Sequence, residues 1–151
     1  MNETGREQAR RLAEQLRETP FDAVYSSDLR RARETAEIVA EPHGVPVVVD
    51  EGLREIDVGL LSGLTWLEVQ ERWGDVRPYA ESQEEHHARV RGALEEIARR
   101  HRGQRILIVT HGGTMRALHS IARDGADVDP IENCGVVELH FRDDRLTTPI
   151  G

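Results

Sequence analysis

An α/β fold, with a mostly parallel sheet sandwiched by helices, is what three features of this sequence predict. Short apolar runs such as Ile106 to Val109 alternate with longer segments whose apolar residues recur every three to four positions. Two of those runs, 23–26 and 105–110, pass through a few polar or glycine residues straight into a helical segment, as strands do in βα units. The chain has 151 residues, 38% hydrophobic and 32% charged, which is enough for a single core-bearing domain over 1–151.

The elements follow in order. Ala9, Leu12, Ala13 and Leu16 mark one face of an opening helix, for which Thr4 and Glu7 offer a capping box and Pro20 a stop. Ala23-Val24-Tyr25-Ser26 reads as a strand, 29–41 as a helix with Leu29, Ala32, Ala36 and Val39 facing inward, and Val47-Val48-Val49 as a second strand. Positions 51–63 are polar and glycine-rich without a period, the mark of an irregular loop of the kind that carries function. Helices are expected over 65–73 and 84–100, joined by a connector at 74–82. A strongly apolar strand at 105–110 precedes His111-Gly112-Gly113 and a helix over 114–123. A strand at 136–141, a turn at Asp143-Asp144 and a short edge strand at 145–148 close the chain.

Composition removes several classes of chemistry. The chain carries 28 acidic and 20 basic side chains, a formal net charge of −8, and every basic residue is arginine. With no lysine, a Walker-type phosphate loop, a Schiff-base lysine and pyridoxal-phosphate chemistry are excluded. Cys134 is the only cysteine, so there is no intrachain disulfide and no cysteine-based zinc cluster. The longest aliphatic run falls far short of the roughly 20 residues that span a bilayer. The expectation is a cytoplasmic protein with neither nucleic acid nor membrane as partner, one that meets small anions through arginine.

Three segments carry candidate chemistry. The first is the strand ending in Thr110-His111-Gly112-Gly113. Glycine lets a ligand approach the backbone, and a helix N-terminus with bare N–H groups favours an anion. The second, Ser26-Ser27-Asp28-Leu29-Arg30-Arg31-Ala32-Arg33, brings hydroxyls and guanidinium forks to the same sheet edge. Its plainer account is a solvated face in which three arginines pair with Glu34 and Glu37. The third, Leu53-Arg54-Glu55-Ile56-Asp57-Val58-Gly59, places carboxyls in the irregular loop, where one could act as a general acid. The adjacent His86 and His87 read as solvated side chains of an acidic helix and not as metal ligands.

Together these segments resemble the histidine phosphatase superfamily, the clan of cofactor-dependent phosphoglycerate mutase and many small phosphomonoesterases. Residues 2–9 are similar to its L-T-E-x-G-x-x-Q-A segment, Ser27-Asp28-Leu29-Arg30-Arg31-Ala32 to S-x-L-x-R-A, Leu53-Arg54-Glu55 with Gly59 to L-x-E-x-x-x-G, and Thr110-His111-Gly112-Gly113 to [ST]-H-G-G. The resemblance implies a phosphoglycerate mutase-like fold. It also implies catalytic roles for Arg31 on a phosphoryl oxygen, Glu55 as proton donor and His111 as a charge-stabilising imidazole, with Ser27, Gly112 and Gly113 beside them in the phosphate site. Neither cofactor nor metal is implied, and the partner is a small phosphorylated substrate or free phosphate.

The family's opening motif, a strand ending in Arg-His-Gly whose histidine is the nucleophile, has no match here. The expectation is therefore an N-terminally incomplete domain with one central strand missing between the strands at 23–26 and 105–110. Such a gap would leave unpaired backbone on both flanks, to be met by direct closure of the sheet, by pairing in a homo-oligomer, or by a segment encoded upstream of an unrecognised start. Phosphomonoester hydrolysis, impaired for want of the nucleophile, is the leading expectation. The alternatives are a mutase-like isomerase and a non-catalytic phosphate-binding module. Only 56 positions separate Glu55 from His111, too few for the mutase's larger insertion, which points to water as the acceptor.

Overall fold

Asn2 opens the first helix by accepting the Gly5 N–H on its side chain at 2.9 Å, so α1 spans Glu3–Leu16 and the expected Thr4–Glu7 box is not the cap. The structure, a computed structural model, describes residues 1–74, 80–126, 129, 131–143 and 145–149, with Trp66 described by its backbone alone. Positions 75–79 of the expected connector and Asp144 of the expected turn lie outside the described residues.

β1 (Ala23–Ser26) is buried at all four positions, and α2 (Arg30–Ala40) buries Ala32, Ala36, Val39 and Ala40, while Leu29 becomes its N-cap. β2 (Val47–Val49) lies at a sheet edge, with Val48 and Val49 exposed. The irregular segment contains two 3-10 turns, Glu51–Leu53 and Gly59–Leu61. Reciprocal capping boxes start the next two helices: Thr65 with Glu68 for α3 (Trp66–Trp73) and Ser82 with Glu85 for α4 (Gln83–Arg100). After β3 (Ile106–Val109) comes α5 (Gly112–Ala122), which begins two residues earlier than expected because Gly112 and Gly113 are already helical. The last expected strand shrinks to β4 (His140–Arg142), paired antiparallel with β5 (Arg145–Thr147).

The main sheet is parallel, in the order β2-β1-β3, with Ser26 opposite both Val49 and Val109. β1 and β3 therefore pair directly, and the gap expected between them does not exist. The backbone of β1 is satisfied on both sides. The other side of β3 borders a cavity of about 1600 Å³, walled also by residues of α1, α4 and 131–142.

Strand alternation decides which layer each residue joins. Ala23, Tyr25, Ile106 and Ile108 pack with Leu53 and Ile97, on the α4 side. Val24 packs with Ala36 and Ala40, and Leu107 joins Leu12, Ala13 and Val39, on the side of α1 and α2. Because the strands run parallel in this register, the chain leaves β1 at Ser27 and β3 at Thr110 on the same sheet edge.

Candidate active site

The first contact joins those two strand ends. The Ser27 hydroxyl lies 2.7 Å from Nε2 of His111, and both side chains are buried. Parallel pairing puts them there, since the Ser27 N–H also bonds the Val109 carbonyl at 3.3 Å. His111 is the N-cap residue of α5, so its ring leaves the backbone where the sheet ends and the helix begins. Burial, and after it the nearby charge of Arg31, push the His111 imidazole down to about 4. It is neutral at pH 7 when no anion is bound.

Glu55 approaches from the loop after Leu53. Leu53 is fully buried and its carbonyl accepts the Thr110 hydroxyl at 2.6 Å, which ties the loop to the end of β3. The Glu55 carboxyl then meets the first turn of α5: Oε2 accepts the Gly113 N–H at 2.9 Å, and Oε1 accepts the Ile56 N–H at 3.0 Å. The carboxyl oxygens thus satisfy two backbone N–H groups, one of them at the start of the helix, where no carbonyl of the helix can reach it. A Cβ at 113 would sit 3.0 Å from Glu55 Cδ and closer still to Oε1, so the glycine leaves room for the carboxyl in this position.

Arg31 completes the group. It is exposed, lines the same cavity as Glu55, His111 and Gly112, and makes no ion pair among the described residues. The solvated-face account holds for its neighbours: Arg30 lies 3.9 Å from Glu34 and Arg33 lies 3.7 Å from Glu37. Arg54 is also engaged, since Asp28 accepts from both its Nε and its Nη2. That pair holds the Asp28 carboxyl below its usual range. Arg31 is thus the guanidinium in this group left to meet an anion.

Arg31, Glu55, His111 and Gly112 line one cavity, and Ser27 and Gly113 lie beside them outside its lining. Ser27 is fully buried against His111, while the Gly113 N–H is taken by Glu55.

His86 corrects the sequence reading outright. It is 4% exposed, with Nε2 3.1 Å from the Thr114 hydroxyl and 3.9 Å from Glu55 Oε1. The Thr114 hydroxyl in turn donates to the Arg54 carbonyl at 3.0 Å. Burial first, then the charge of Arg89, lower the His86 pKa. The acidity of its helix suggests solvation, but its place one turn before Val90, on the buried face of α4, is the stronger signal. Among the described residues no group of His, Cys, Asp and Glu is arranged to hold a metal ion.

A guanidinium, a carboxyl and a buried imidazole thus lie near the carboxyl ends of parallel strands, the edge of an α/β sheet at which ligands collect. The profile of the histidine phosphatase superfamily (branch 1) matches residues 1–148, and the chain belongs to that family. It is 38% identical to phosphoglycerate mutase-like protein 4 of Arabidopsis thaliana, over 99% of this chain and 73% of that one. It is 35% identical to the metal-independent phosphoserine phosphatase of the same plant, over 96% of this chain and 67% of that one. Among solved structures, Bacillus stearothermophilus YhfR superposes with a TM-score of 0.85 at 27% identity, covering 99% of this chain and 83% of the other. The chain thus spans about two thirds to four fifths of the length of these relatives. No described helix is long and apolar enough to cross a membrane.

Proposed function

We propose that this site holds the phosphoryl group of a small phosphomonoester and protonates the departing oxygen, in the service of hydrolysis. The observation that carries this reading is that Arg31, Glu55 and His111 line one cavity, with the charges of Arg31 and Glu55 near enough to act on the imidazole. Phosphoryl transfer asks a protein mainly for positioning and for charge on the equatorial oxygens, and a guanidinium with an imidazole supplies both. In this reading Arg31 bonds the phosphoryl oxygens. His111, held by Ser27, meets the same group and takes up a proton as the dianion arrives. As the ester P–O bond breaks, its electron pair leaves with the ester oxygen, which takes a proton from the Glu55 carboxylic acid, while water forms the new bond to phosphorus and returns a proton to the Glu55 carboxylate.

Relatives named as phosphoserine phosphatases support hydrolysis as the reaction class. None of the seven histidines stands in an Arg-His-Gly context, so turnover by this chain is expected to be slow, and phosphate capture without turnover is the second reading. Hydrolysis of p-nitrophenyl phosphate by the wild-type protein separates the two. Release of nitrophenolate that disappears in His111→Ala supports the enzyme reading. Saturable phosphate binding with no release supports the binding module.

A further inference from the structure

Glu55 sits on a loop, and loops place catalytic groups poorly unless something rigid holds them. Here an arginine from the neighbouring helix adds to the ties that Thr110 and Thr114 make to the carbonyls of Leu53 and Arg54. The Arg89 guanidinium donates from Nη1 to the carbonyls of Gly52 at 2.9 Å and Arg54 at 3.1 Å, and from Nη2 to the carbonyl of Glu55 itself at 3.4 Å. Its remaining edge meets Glu81 in a two-pronged pair, Nε to Oε1 and Nη2 to Oε2, each at 2.7 Å. Glu81 in turn accepts the Asp57 N–H at 3.1 Å and donates its own N–H to the Asp57 carbonyl at 3.2 Å. The backbone on both sides of Glu55 is therefore fixed to α4 through one planar cation and its carboxylate. The pair is mostly buried, with side-chain exposures of 29% and 14%, so water competes weakly for these bonds.

We propose that Arg89, oriented by Glu81, is a positioning residue for Glu55, setting where the carboxyl meets the leaving oxygen without touching the substrate. The inference rests on the reading of Glu55 as proton donor. Only a planar fork can hold the loop in this way, since lysine preserves the charge but cannot bond three carbonyls and a carboxylate together. Glu55 also reports its own position, because its Oε2 bonds the Gly113 N–H at 2.9 Å.

The test compares wild type, Arg89→Lys and Glu55→Gln. Two esters are used, p-nitrophenyl phosphate, whose leaving group departs without much help, and phosphoserine, whose alkoxide needs the proton. Arg89→Lys is expected to lower kcat at least tenfold on phosphoserine but less than threefold on p-nitrophenyl phosphate. In amide spectra its Gly113 cross-peak should move towards that of Glu55→Gln, with the β1 and β3 amides unmoved. Equal losses on both esters, or a Gly113 peak that stays at the wild-type position, overturn the positioning role. Wild-type inactivity on both esters refutes the hydrolase reading instead, and the Gly113 peak then still decides for or against Arg89.

Discussion

The Ser27 hydroxyl, 2.7 Å from Nε2 of His111, joins the ends of two strands across 84 residues of sequence. Neither residue is held in place by its own segment alone. Ser27→Ala removes a buried partner of the imidazole and leaves the parallel pairing of β1 and β3 intact. A hydrogen bond of this kind contributes on the order of 1 kcal/mol, so phosphate affinity should fall about fivefold, as read by calorimetric titration.

The depressed pKa of His111 makes the fold sensitive to acid. The native imidazole titrates near 4 and an unfolded one near 6.5, so between these values the unfolded chain binds the extra proton. This contribution to stability is complete above about pH 6.5 and is lost as pH falls towards 4, on the order of 3 kcal/mol in all. Denaturant unfolding from pH 7.5 to 4 should show the decline, and His111→Asn should flatten it. Saturating phosphate should raise the His111 midpoint in a proton NMR titration, because a dianion favours the charged ring.

Gly113→Ala sets a methyl group against the Glu55 carboxyl. The carboxyl must swing away and lose its bond to the α5 N-terminus, while the helix, which tolerates alanine well, persists. The expected result is a change of less than about 1 kcal/mol in unfolding free energy, since the helix preference of alanine offsets the lost hydrogen bond, with loss of any turnover on alkyl phosphates. Far-ultraviolet circular dichroism should be unchanged.

Leu53→Ala probes the anchor of the same loop. The side chain is fully buried among Ala23, Tyr25 and Ile97. Its truncation is expected to cost about 2–5 kcal/mol, read by chemical denaturation, and to broaden the amide signals of residues 54–56.

Much of this arrangement is legible in the sequence, and the reasons differ by element. Apolar runs and helical periodicity locate β1, β2, β3 and the helices α1 to α5, because each buries one face against a neighbouring layer. The alignment of Ser27 with His111 follows from two strand-to-helix turns at one edge of a parallel sheet, and short motifs point to both. Contacts across long separations are not legible. Nothing local ties Asp28 to Arg54, 26 residues away, or His86 to Thr114, 28 residues away. The expected strand at 136–141 is too long because its alternating pattern resembles a strand whether or not a partner pairs with it, and only His140–Arg142 finds one in β5. The direct pairing of β1 with β3 is one of the closures the sequence leaves open without choosing among them, because strand order is set by packing between layers, on which residue pattern is silent.

The shared oxyanion site is tested most directly by calorimetric titration of orthophosphate into wild type, Arg31→Ala and His111→Ala at pH 7. One saturable site in wild type, weakened at least tenfold in each variant while far-ultraviolet circular dichroism shows the fold retained, is the predicted result. No saturable site in wild type, or equal affinity in all three proteins, would contradict it.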